Sequence, residues 1–171
     1  FDSSGAFSKN IGTCSSTYPT ALDIYNDTLY VLDYSNASVK VLNTSGNCTN
    51  QKVTGGGSWS AWSVAVSNNH IFIGGFTQYS QSYIRMLSRS SLNEVAYHYN
   101  YPTYYSMSGI DVNSDGTKLV TVSNYNSKVC LHTISGTSLG SCQTVGSGNW
   151  GFSNGDVRYP VDAAFDSNDN I

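Results

Sequence analysis

The sequence predicts an all-β protein, a β-propeller built from four-stranded antiparallel blades whose ring is incomplete in this chain. Three observations carry that prediction. One strand-turn-strand register recurs at Pro19, Ala61, Met107 and Pro160, a spacing of about 40 to 55 residues that marks propellers and solenoids among internal repeats. Each unit contains short Val, Ile, Leu and Tyr runs bounded by Asn, Asp, Gly and Ser turns. No segment sustains a 3.6-residue apolar period, so little helix is expected. A four-stranded sheet cannot bury both of its faces alone, so such units pack side by side around an axis. A β-sandwich also strings short strands at regular spacing, but it does not usually repeat one register three times.

The clearest copy runs from Tyr18 to Gly46. Pro19 opens a first strand, Asn26-Asp27 turns it into a second over Thr28 to Asp33, and a third covers Ser38 to Asn43 before a Ser-Gly turn. A fourth strand begins near Cys48. The stretch SAWSVAVSNNHIFIGGF then matches YPTALDIYNDTLYVLDY residue for residue, with Ala61 on Pro19, Val66 on Ile24, Ile71 on Leu29 and Ile73 on Val31. SMSGIDVNSDGTKLVTVS from Ser106 repeats the pattern with one extra residue at the Ser114-Asp115-Gly116 turn. YPVDAAFDSNDNI is a fourth opening, with Phe165 on the Ile24 position. Residues 1–12 read as the end of an earlier copy. The expected organisation of 1–171 is thus one propeller segment: 1–17 the end of a blade, 18–58, 59–105 and 106–158 three blades, and 159–171 the start of the next. The partial copies at both ends suggest a segment of a longer chain, or completion of the ring by another copy.

Composition narrows the setting. Charged residues make up 11% of the 171, well below the usual share of about a quarter, so hydroxyls and amides solvate the surface. The net charge is −3 and no basic run exists, which argues against nucleic acid as a partner. No apolar run approaches the roughly 20 residues that would insert in a membrane. Cys14, Cys48, Cys130 and Cys142 show no metal-binding spacing and read as disulfides of an extracellular or secreted protein. Cys130 and Cys142 flank the Ser135-Gly136 turn symmetrically, on the third and fourth strands of one blade, and pairing about Gly136 sets them opposite each other. By elimination Cys14 pairs with Cys48.

Four sequons, at Asn26, Asn36, Asn43 and Asn47, fall at turns or strand ends of the first complete blade and are candidates for N-glycosylation. A chain so rich in Asn, Ser and Thr should show about four by chance, so placement rather than number makes them candidates.

Tyr18-Pro19, Leu29-Tyr30-Val31-Leu32-Asp33, Asn36, Val39-Lys40-Val41 and Gly46 resemble the NHL repeat, a β-propeller family. Gly148 to Gly155 followed by Arg158-Tyr159-Pro160 is similar to that family's glycine-rich approach to a blade. The second copy departs from it, with Gly74-Gly75 in place of Leu-Asp, and the third has Val120-Thr121 in place of Tyr-Val. Propeller enzymes that resemble this family, lyases and lactonases among them, hold a metal in the central channel with His, Asp, Glu or Asn. His70, His98 and His132 fall on different blades and at different strand positions, which does not build such a site. Asp23, Asp111, Asp162 and Asp166 recur near innermost strands, where they could bind calcium or act as acid and base, or simply bond strand-end backbone. The second use fits better, because a single Glu, Glu94, is available to help. No nucleophile, metallopeptidase or phosphate-loop motif is present, and no cofactor is expected.

Aromatic residues remain. Tyr101, Tyr104 and Tyr105 could stack on a sugar, whereas Trp62, inside the opening strand of its blade, reads as filler between blades. The expected function is a non-catalytic extracellular scaffold or interaction module. Its partners would be proteins or further copies of the chain meeting head to tail, with glycans possible. A fragment of a metal-dependent propeller enzyme and a carbohydrate-binding propeller are the alternatives.

Overall fold

The computed structural model describes residues 4, 14, 18–34, 37–53, 59–77, 81–99, 107–148 and 151–171. They form three antiparallel sheets. The first holds β1 (Pro19–Tyr25), β2 (Thr28–Asp33), β3 (Ser38–Leu42) and β4 (Cys48–Val53) in that order. The second holds β5 (Trp59–Val66), β6 (His70–Thr77), β7 (Ser82–Ser88) and β8 (Glu94–Tyr99). The third holds β9 (Met107–Val112), β10 (Lys118–Ser123) and β11 (Lys128–Ser135), with β12 (Ser138–Leu139) and β13 (Gln143–Thr144) both paired to β11. First strands of successive sheets lie beside one another, β1 against β5 and β5 against β9. Residues 160–165 form no ladder of their own, yet run along β9 as β5 runs along β1, with Ser108 Oγ 3.4 Å from Pro160 O.

Turn chemistry explains the hairpins. Asn26 and Asp27 take φ of 46° and 56°, the left-handed pair that matches strand twist in a two-residue hairpin and that Asn and Asp tolerate better than other side chains. The third blade differs from the sequence expectation here. Leu119 pairs with Val112 where Leu29 pairs with Ile24, so its first turn carries two extra residues, not one. Asn113 stabilises the longer turn, its Oδ1 accepting from Thr117 N at 3.0 Å and Lys118 N at 2.7 Å.

The alternation of side chains along central strands explains why they are apolar without a break. In β6, Ile71 and Ile73 face the first sheet, packing with Leu32, Val39, Val41, Val64 and Val66. Phe72, between them, faces the third sheet with Ala65, Ile84, Met86, Met107, Ile110 and Leu119. In β10, Val120 and Val122 point the other way, toward Val157, Ala163 and Phe165. The Gly-Gly departure of the second copy belongs to this packing. A Cβ at Gly74 would meet Met107 Sδ and Ser63 Oγ, each at 2.6 Å, so the missing side chain admits Met107 of the third sheet.

Candidate functional site

Each first strand carries a bulge at the same place. The extra residues are Thr20, between the pairs Pro19↔Asp33 and Ala21↔Leu32; Trp62, between Ala61↔Gly75 and Ser63↔Gly74; and Ser108, between Met107↔Ser123 and Gly109↔Val122. Thr20 Oγ1 donates to Ala61 O of the next sheet at 3.1 Å, and Ser108 Oγ makes the corresponding bond to Pro160 O. Two aspartates complete the pattern. Asp23 accepts from its own neighbour Ile24 N at 2.7 Å and from Val66 N of the next sheet at 2.6 Å. Asp111 accepts likewise from Phe165 N at 2.7 Å and from Val112 N. One carboxylate thus holds the inner strands of two successive blades. The second blade has Trp62 and Ala65 at these positions, and its junction with the third is the apolar cluster around Phe72 and Met107.

These ends of the inner strands surround a cavity of about 330 Å³, lined by Asp23, Tyr25, Val66, Asp111, Asn113 and Asp166, among others. Burial raises the pKa of Asp23. Its bonds from Ile24 and Val66 work against that shift, and the nearby Asp111 charge adds to it. Asp111 is raised for the same leading reason, burial, against the pull of the Phe165 and Val112 amides and with the Asp162 charge adding. Asp166 is held low by bonds from Asn170 and Asn168, whose amides reach its Oδ1 at 2.9 and 2.8 Å. Asp162 accepts from Ala163 N at 3.0 Å. All four carboxylates bond backbone amides, the strand-end role. Among the described residues no group of three or more His, Cys, Asp and Glu is placed to hold a metal ion.

The histidines serve separate structural tasks. His132 is buried, with Nε2 3.1 Å from Thr121 Oγ1 and Nδ1 3.0 Å from Gly140 O, so Nδ1 carries the proton and donates to the carbonyl. Burial is the main cause of its lowered pKa. His70 begins β6 edge-on to Phe72, and burial lowers its pKa too. His98 Nε2 lies 3.2 Å from Thr137 O of the next blade. In the first blade, by contrast, a buried ion pair joins neighbouring strands, with Lys40 Nζ 3.0 Å from Asp33 Oδ2.

Both cysteine pairs are disulfides, with Cα–Cα distances of 5.4 Å for Cys14–Cys48 and 5.1 Å for Cys130–Cys142. The expected route to the second pair needs correction, since Cys130 stands opposite Thr144 in the ladder, and Cys142 lies between β12 and β13. The turn is centred between Gly136 and Thr137, as Ser135↔Ser138 and Ile134↔Leu139 show, and a further extra residue before Gln143 shifts the register again. Asn26, Asn43 and Asn47 are at the turns joining β1 to β2 and β3 to β4, hence at one end of the blade. Asn43 Oδ1 accepts from Asn47 N at 2.9 Å. Asn36, Tyr101, Tyr104 and Tyr105 lie outside the described residues.

Trp62 packs between the first two blades, stacked on Phe76 with centroids 6.0 Å apart and in a T-shaped contact with Tyr34 at 5.6 Å, yet the bulge leaves it 43% exposed. Aligning the copies puts Trp62 beside Thr20 and Ser108 in register, but only the bulge geometry shows what those positions do.

Comparison with known proteins supports the architecture. No protein-family model matches the chain, and no curated protein matches it. Hydrazine synthase of Kuenenia stuttgartiensis superposes with a TM-score of 0.64 at 12% identity, over 95% of this chain and 44% of that one. The RRP9 WD40 repeats give 0.59 at 13% identity, over 75% and 41%. The WD40 domain of Toxoplasma gondii coronin gives 0.58 at 10% identity, over 74% and 34%. The chain spans less than half the length of these structures. It is a β-propeller built from four-stranded antiparallel blades, three of which lie in the described residues and do not by themselves close a ring.

Proposed function

We propose that this chain is a non-catalytic, extracellular β-propeller interaction module of the NHL type, with blades at 18–58, 59–105 and 106–158. One observation carries the non-catalytic reading. The inner-strand carboxylates Asp23 and Asp111, the groups best placed for chemistry at the channel mouth, bond backbone amides of adjacent blades. They hold the scaffold together and do not face a substrate as a set. The two disulfides support an oxidising, extracellular setting. Its partners are proteins, met through the turns at the strand ends or, between copies, head to tail across the inner-strand face where Leu22 and Ile24 are exposed. At least one of Asn26, Asn36, Asn43 and Asn47 carries a glycan in a secretory host.

The test is the full chain secreted from a eukaryotic host. We expect both disulfides in a non-reducing peptide map, mass loss on treatment with a glycan-removing amidase, and no stoichiometric divalent metal by elemental analysis. Tightly bound metal together with lactone hydrolysis or lyase activity would replace this reading with the enzyme one. Mass in dilute solution tests the contact between copies, and a compact monomer excludes it.

A further inference from the structure

The inner-strand bulge is a structural device wherever it carries a hydroxyl. Thr20 and Ser108 each use it to reach a carbonyl of the next blade. Trp62 occupies the same bulge, and among the described residues its indole N–H makes no such bond to the third blade. Nor is its bulk needed to fill the junction with the third blade, which Ala65, Phe72, Met107 and Ile110 fill behind it. Trp62 packs instead against Phe76 of its own blade and Tyr34 of the first, and still remains exposed. Trp62 is 43% exposed, its ring is stacked with Phe76 at an interplanar angle of 16°, and Tyr34 makes a T-shaped contact with it at 74°. Ser60 Oγ, 3.2 Å from Tyr34 OH, holds that contact in place.

We propose that Trp62, positioned by Phe76 and Tyr34, is a binding platform for a neutral pyranose ring. A flat indole face accepts the apolar C–H face of a sugar, while hydroxyls at its edge, here Tyr34 and Ser60, meet the sugar hydroxyls. Charge selects for neutrality. The ionisable pair next to Tyr34 in the chain, Asp33 and Lys40, is buried and spent on itself, so it offers nothing to a phosphate or carboxylate. A nucleotide would bring phosphates to a chain of net charge −3 with no basic run. A proline-rich peptide needs a slot between separate aromatic ridges, whereas Trp62 and Phe76 are stacked on each other. The site goes beyond the interaction-module reading and rests on it only for the extracellular setting.

The test is a panel of immobilised neutral hexaoses of gluco, manno, galacto and xylo configuration, followed by calorimetry of the full chain with the best binder. We expect saturable binding by the wild type and weakening of about tenfold or more in Trp62→Thr. That variant installs the residue type of the first blade's bulge, so its unfolding midpoint should stay near wild type, while Trp62→Phe retains part of the affinity. Silence across the panel overturns the proposal and leaves the protein-partner reading standing. It is also overturned if Trp62→Thr binds as wild type while Tyr104→Ala and Tyr105→Ala do not, or if a proline-rich peptide is what Trp62→Thr loses.

Discussion

Asp23→Ala removes one carboxylate and thereby two inner-strand bonds in different blades, at Ile24 N and Val66 N. A hydrogen bond to a charged group is worth about 1.5–3 kcal/mol net. Burial of the carboxylate outweighs these bonds in setting its raised pKa, so the cost of the variant is that of leaving two amides without their acceptor, about 1–3 kcal/mol each, discounted for partial exposure. A loss of about 2–4 kcal/mol in urea unfolding is the net expectation, with the slope of the transition unchanged. Asp111→Ala should cost a similar amount, because Phe165 N and Val112 N depend on it in the same way. Ala65→Asp is the informative control. Val112 N is already bonded by Asp111, and Ala65 is buried among Phe72 and Met107, so a carboxylate there finds no equivalent donor and destabilises. Hydrogen exchange should speed selectively at the Val66 amide in Asp23→Ala. A variant within 0.5 kcal/mol of wild type (about the usual scatter for innocuous surface changes), or an Ala65→Asp protein more stable than wild type, would refute the idea that one aspartate serves a pair of blades.

The same aspartates give a pH signature. Their folded pKa is raised, so their contribution is fully present below the ordinary aspartate range and is lost as pH rises through it. Asp115, Asp156 and Asp166 are held low by hydrogen bonds from Thr117, Ser147 and Asn170 respectively, so their contribution has the opposite sign and is lost as pH falls. Urea midpoints from pH 3 to 6, about the span in which carboxylates titrate, should therefore tilt toward lower stability in acid more steeply in Asp23→Ala than in wild type. His132 is depressed by burial, so stability present above the ordinary histidine range declines as pH falls below it, and His132→Gln should flatten that part of the profile. Lys40→Met should cost about 3–5 kcal/mol by stranding the buried Asp33 charge, and adding Asp33→Leu should recover much of it in the same assay. Replacing Cys130 and Cys142 together by Ser should lower stability by about 3 kcal/mol, the value expected for a short closed loop, read as a fall in thermal midpoint against the oxidised wild type.

Much of the architecture was legible because it repeats. Three of the four aligned openings located first strands, and the Asn26-Asp27 turn marked the first hairpin with little ambiguity, since side-chain period and turn chemistry are local properties. The unbroken apolar run of β6 signalled a sheet buried on both faces. Local signals failed where pairing drifts from symmetry. The register that sets Cys130 opposite Thr144 depends on where the turn is centred and on one extra residue beyond Leu139, which sequence spacing cannot distinguish from a regular strand.

The sequence by itself determined the fold class, because it follows from periodicity, and favoured the backbone-bonding use of the inner aspartates from the chemistry of single side chains; it named the cysteine pairs by a register the structure does not have. Only the tertiary structure decided that Asp23 reaches Val66 and Asp111 reaches Phe165, and that Trp62 is turned partly to the surface. The reason is geometric. How blades lie side by side sets the neighbour each aspartate meets, over separations of 43 and 54 residues that no local pattern encodes, and a bulge turns Trp62 out of alternation.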